Sequence, residues 1–298
     1  MKKLKAIIWS MRLRTLPLSL AGVILGLALA AGQGSVSWLL ALEVMLTTVF
    51  LQILSNLSNE LGDYLRGTDT EERQGPAYSL QAEELTVKDM RWLIGVMVLL
   101  CCLSGMLMVV QSFGTLWTLP SVLLLLLGAC AIWAAVHYTL GKRPYGYRGL
   151  GDLFVFVFFG LVSVCGAYYV AVHQLSPLLL LPASAIGCFS VGVLNVNNLR
   201  DMETDAGTRV TVPLKIGERK AKIYHTCLIV GGWLFILLYS AICAESLWHW
   251  LYILTLPLYV VHLRGVWKRS GKALDPMLPL LVMSTFVLSL LACVGYWL

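Results

Sequence analysis

Charge is what this sequence has least of. Of its 298 residues only 13% are Asp, Glu, Lys or Arg, while 58% are apolar and the mean hydropathy is +0.79. A water-soluble domain carries roughly 25% charged residues, so an ordinary soluble globule is excluded. Metal-ligand and disulfide patterns are also missing. The eight cysteines form no C-x-x-C pair, and the five histidines show no H-E-x-x-H spacing. The cysteines read as small buried hydrophobes. The net charge of +6 sits at the ends of apolar runs and does not indicate a nucleic-acid partner.

What is there is a succession of apolar runs. A helix needs about 20 such residues to cross a bilayer. Nine candidates occur, near 15–32, 37–61, 91–110, 118–139, 151–173, 177–199, 223–243, 246–262 and 276–297. All 22 Lys and Arg lie before the first run or in alternate connections, and the connections near 33–36, 111–117, 174–176 and 244–245 have none. Cytoplasmic loops are the basic ones. The expectation is therefore an all-α polytopic membrane protein forming one domain over 1–298. Nine transmembrane helices surround a central cavity, with the N-terminus cytoplasmic and the C-terminus outside. The first run resembles a secretory signal, but Arg12 and Arg14 make its basic flank too long, and it is read as a retained span.

Acidic residues are as one-sided as basic ones. Of the 16 Asp and Glu, only Glu43 and Glu245 fall away from the cytoplasmic side. Two clusters close apolar runs. In Ser55–Asp69, Asn56, Asn59 and Asp63 share a helix face, with Asp69 beyond Gly67. In the second, Asn197, Asp201 and Asp205 recur at a spacing of four, and Asn198 lies beside that face. The step from Asn59 to Asp63 repeats from Asn197 to Asp201, which suggests an internal duplication mapping spans 1–4 onto 5–8. Solvated helix ends neutralised by Arg66, Arg200 and Arg209 would explain either cluster alone. Two clusters together gather negative charge that calls for a cation. Hard amide and carboxylate oxygens suit Mg²⁺, which commonly bridges carboxylates to phosphates. Lys142, Arg143, Arg209 or Lys215 would meet the remaining charge of a diphosphate. A diphosphate at the mouth of a membrane cavity points to a lipid whose tail stays in the bilayer. Aromatic faces at Tyr138, Tyr145, Tyr147, Phe154, Phe156, Phe158 and Phe159 could stabilise an allylic cation.

These residues resemble the UbiA superfamily of intramembrane aromatic prenyltransferases. That superfamily has nine transmembrane helices and Asp-rich motifs after helices two and six. Asn59-Glu60-x-x-Asp63 is similar to its first motif with Glu in one Asp position, and the ending Gly67-x-Asp69 is similar to the branch that prenylates 1,4-dihydroxy-2-naphthoate. Arg12-Leu-Arg-Thr-Leu-Pro17, Tyr138-x-x-x-Lys142, Pro144–Asp152 and Asn197-Asn-Leu-Arg-Asp201-x-x-x-Asp205 match further blocks, whereas Arg209-Val-Thr-Val-Pro213 departs from the usual string. The resemblance implies transfer of a polyprenyl group from polyprenyl diphosphate to dihydroxynaphthoate, with loss of CO₂ and diphosphate, at the inner membrane of a bacterium. It implies Mg²⁺ on Asn59, Asp63, Asp69, Asn197, Asp201 and Asp205. Asp63, Asp201 and Lys142 are the expected catalytic residues. Asn198, Arg143, Tyr138, Tyr147, Arg148, Asp152 and Arg209 join Asn59, Asn197 and Lys142 in substrate binding. Two alternatives stand beside this: another aromatic acceptor for the same chemistry, and a cation-coupled transporter using the carboxylates as ion sites.

Overall fold

The computed structural model describes residues 2–34, 36–67 and 79–298. Among them there is no strand; the one sheet-like contact is an isolated bridge between Arg148 and Val210. The longer helices are α1 (Lys2–Ser10), α2 (Leu16–Ala31), α3 (Trp38–Leu65), α4 (Val87–Phe113), α5 (Leu119–His137), α6 (Gly151–Val172), α7 (Pro177–Arg200), α8 (Glu218–Cys243), α9 (Leu256–Lys268) and α10 (Met277–Trp297).

Among the described residues, eight helical stretches are long and apolar enough to cross a membrane. They match eight of the nine expected runs. The remaining run, near 246–262, is not one α-helix. It begins as a 3-10 stretch, Leu247–Thr255, capped by the Ser246 hydroxyl, and restarts as α9 at Leu256-Pro257. Proline lacks an N–H and its fixed φ favours the first turn, so the restart falls there. Two other boundaries differ from expectation for local reasons. α4 starts at Val87 because Thr86 and Asp89 form a reciprocal capping box. α3 continues to Leu65, which keeps Asp63 on its last turn.

The bundle is filled unevenly. On the C-terminal side Phe189, Trp233 and Tyr259 are buried together, with Tyr259 edge-on to Trp233 at 5.3 Å and tilted against Phe189 at 4.8 Å. Lipid tails are as apolar as leucine, so helices in a membrane associate by close packing. α6 and α7 show this directly: a Cβ on Gly160 would lie 2.7 Å from the Gly187 Cα. That contact falls within a π-helical segment of α6, Phe156–Val162. The N-terminal side, between α2, α3, α4, α5 and α6, is hollow.

Candidate active site

The site is assembled where α3 and α7 end. The strand of chain leaving α5 crosses α3 at Gly62, where a methyl would come within 2.8 Å of the Thr139 carbonyl carbon. Thr139 fixes that crossing by donating to Ser58 O at 2.9 Å, and it lies 3.3 Å from Asn59 Oδ1. The chain then folds back, Gly146 N donating to Tyr138 O at 3.0 Å, and this brings Tyr147 over the last turn of α3.

Asp63 and Asp205, one from each cluster, are both buried and share one cation. Arg209 Nη2 is 3.5 Å from Asp63 Oδ1, and its Nε is 3.2 Å from Asp205 Oδ1. Tyr147 Oη donates to Asp63 Oδ1 at 2.6 Å. The guanidinium carbons of Arg66 and Arg209 lie 5.1 and 5.0 Å from the centre of the Tyr147 ring. Burial by itself would pull the Arg209 pKa down, but Asp63 and Asp205 outweigh it and hold it above the usual value. Arg209 therefore occupies the central electrostatic position that the sequence left among several candidates.

Asp201 and Asn197 form a second group at the end of α7. Arg200 grips Asp201 with both arms, Nε to Oδ1 at 2.7 Å and Nη2 to Oδ2 at 2.6 Å, and also donates to Asn197 Oδ1 at 3.0 Å. Asn198, Asp152, Tyr138 and Arg209 converge on a polar cavity of about 10 Å³, the scale of a single water. Tyr224 Oη donates to Asp152 Oδ2 at 2.8 Å.

The other predicted residues are placed differently. Lys142 and Arg143 are exposed, with no ion pair among the described residues. Arg148 is exposed and meets Val210 through the backbone. Asp69 lies outside the described residues. Asn56 is not part of the acidic face: its Nδ2 donates to Met11 O and Thr15 Oγ1, both at 2.9 Å. Glu60, the motif's substituted position, turns the same way and accepts from Ser10 Oγ and Leu80 N. Successive helical residues turn by about 100°. Asn56 and Glu60 thus form a stripe next to that of Asn59 and Asp63, anchoring α3 to the N-terminal segment.

Asn59 also opens onto an apolar cavity of about 660 Å³. Tyr138, Tyr145, Phe154 and Phe158 line it near the site, and Val44, Met108 and Leu124 line its far end. From Asn59 to Val44 along α3 is about 22 Å at 1.5 Å per residue. Phe154 stacks on Tyr145 with centroids 3.9 Å apart. Tyr145 Oη donates to Ala134 O at 2.7 Å, and burial pushes the phenol well above its usual pKa, so it presents a neutral ring.

The donor types here are those that a hard divalent cation takes. The donors gathered here are carboxylate and amide oxygens, and the charge between them is balanced by guanidinium groups. Among the described residues no three His, Cys, Asp or Glu converge as a metal-ready set, and Arg209 lies between Asp63 and Asp205.

A relative from Escherichia coli strain K12, named 1,4-dihydroxy-2-naphthoate octaprenyltransferase, is 41% identical over 97% of this chain and 94% of its own. One of the same name from Haemophilus influenzae is 37% identical over 99% and 96%. A UbiA homologue from Archaeoglobus fulgidus, solved bound to GPP and Mg²⁺, superimposes with a TM-score of 0.62 at 15% identity, covering 95% of this chain and 99% of that one. The family model for UbiA prenyltransferases matches residues 19–291, taking in both acidic clusters and every wall of the cavity, and the chain belongs to that family.

Proposed function

We propose that this protein transfers a polyprenyl group from polyprenyl diphosphate to 1,4-dihydroxy-2-naphthoate. The observation that carries the reading is the meeting of Asp63 and Asp205 beside an apolar cavity that runs about 22 Å along α3. A charged head and a long apolar tail have adjoining places. The named activity of the Escherichia coli and Haemophilus influenzae relatives supplies the acceptor.

Asn59, Asp63, Asp69, Asn197, Asp201 and Asp205 would hold Mg²⁺, which when bound neutralises diphosphate and makes it a better leaving group. Arg209 and Arg66 meet the remaining phosphate charge. The C1–O bond of the prenyl diphosphate breaks, the electron pair leaving with diphosphate. The faces of Tyr138, Tyr145 and Phe154 stabilise the allylic cation and exclude water that would capture it. C1 then bonds to the ring carbon that bears the carboxylate. The C–CO₂ bond breaks, its electrons return to the ring, and demethylmenaquinol and CO₂ result. Asp152, Asn198 and Arg148 are assigned to the acceptor side. The positions of the 22 basic residues support a cytoplasmic site in a bacterial inner membrane.

Purified protein given Mg²⁺, dihydroxynaphthoate and a polyprenyl diphosphate is expected to yield a decarboxylated prenyl product by mass spectrometry. EDTA should abolish it and added Mg²⁺ restore it. Absence of product at every prenyl length refutes the reading. Preferential prenylation of hydroxybenzoate or homogentisate in competition would reassign the acceptor.

A further inference from the structure

One carboxylate joined to the site lies far from both acidic clusters in sequence. Asp275 sits on the turn before α10, and its Oδ1 accepts from Arg200 Nη1 at 2.9 Å. The same guanidinium holds Asp201 with two bonds and Asn197 with a third. Arg200 is thus pinned on three residues. Its side chain is 8% exposed and that of Asp201 is 3%, whereas Asp275 is 43% exposed.

We propose that Asp275 is a positioning residue for the cation site, acting through Arg200 on Asp201 and Asn197. The inference rests on the assignment of those two residues to Mg²⁺. Two physical effects act together. A guanidinium is planar and rigid, so an anchor on one arm sets the plane of the others. Asp275 therefore fixes the direction from which Asp201 and Asn197 are held. Asp275 also shares the positive charge. With one guanidinium facing two carboxylates, the group keeps net negative charge and can still attract a cation. Without Asp275, Arg200 would neutralise Asp201 alone. Carboxylate ligands are themselves commonly held by hydrogen bonds, and loss of such an outer partner costs about 10–100-fold in metal affinity.

The test uses full-length protein in lipid nanodiscs, with Mn²⁺ as the paramagnetic probe and inorganic diphosphate present. Asp275→Ala is expected to raise the apparent Kd for Mn²⁺ by about tenfold or more. The KM for Mg²⁺ should rise by more than kcat falls. Asp275→Glu, which restores a carboxylate, should recover most of the affinity. Asp275→Asn, which keeps an acceptor oxygen but not the charge, should fall between the two. A simple brace between α7 and α10 predicts otherwise: Tm would drop in the alanine variant while Mn²⁺ affinity stayed at the wild-type level. That result overturns the proposal, as does wild-type affinity in a stably folded Asp275→Ala or Asp275→Asn. Failure of the wild type itself to bind Mn²⁺ with diphosphate overturns the metal assignment, and this inference with it.

Discussion

Asp63 is met by both Tyr147 and Arg209, one helical turn beyond the cavity-lining Asn59. Losing an outer partner of a metal ligand costs about 10–100-fold, so Asp63→Asn is expected at or beyond the upper end of that range in turnover. The protein should still insert in the membrane at wild-type levels, measured by immunoblot of the membrane fraction. Tyr147→Phe keeps the ring between its guanidinium neighbours and deletes the 2.6 Å bond to the carboxylate. A hydrogen bond to a charged group contributes about 1.5–3 kcal/mol, so kcat/KM should fall by roughly 10–100-fold with Tm unchanged. Gly62→Val acts the other way. It forces the chain at Thr139 off α3, a steric conflict of roughly 1–3 kcal/mol. It should lower Tm as well as activity, because the crossing that places Tyr147 is displaced.

The helices show where sequence reasoning succeeds and where it stops. Apolar length located the spans, and the four-residue step from Asn59 to Asp63 put these two proposed ligands on one face. Spacing alone cannot separate two adjacent stripes of one helix. Asn56, grouped by spacing with Asn59 and Asp63, and Glu60, the substituted motif position, are bonded to Met11, Thr15, Ser10 and Leu80. Nor can spacing show a partner 75 residues away, as Asp275 is from Arg200. The basic residues were legible as a group, but only tertiary contact distinguishes the buried Arg209 from the exposed Lys142 and Arg143. A further prediction belongs to α5. Gly105, Gly128 and Gly166 line the cavity from three different helices, and a Cβ built on any of them meets nothing within 4 Å. Leucine at 128 should fill cavity space without disturbing the packing around it. Discrimination in apolar pockets runs from about 10-fold upward per group. Gly128→Leu is therefore expected to shift the ratio of kcat/KM for long against short prenyl diphosphates by roughly tenfold toward short ones. An unaltered ratio would show that the tail does not pass α5.

At the scale of the molecule, the dense half and the hollow half divide the labour. The C-terminal helices give a fixed frame, and Asp205, Asp201 and Arg200 project from its edge. The N-terminal helices enclose space and contribute Asn59 and Asp63. The basic residues predict that the two termini face opposite sides of the membrane. Reporter fusions that are active only in the periplasm should light up at the C-terminus and stay dark at the N-terminus. A C-terminal fusion dark in that assay would remove one span, and the broken stretch around Pro257 is the first place to look.

The π-helical segment Phe156–Val162 has a consequence for inheritance. Insertions and deletions inside a transmembrane helix usually rotate everything downstream by about 100° per residue. A wide turn of this kind accommodates an extra residue while the helix on either side stays in register. Deleting one residue there should let α6 close into ordinary α-helix with Gly151 and Val172 still in place. The protein would fold, yet Phe158 would be carried away from Phe154 and the aromatic wall would be broken. Length variation in this family of genes is thus expected to be survivable at 156–162 as regards folding, and to announce itself as altered chemistry.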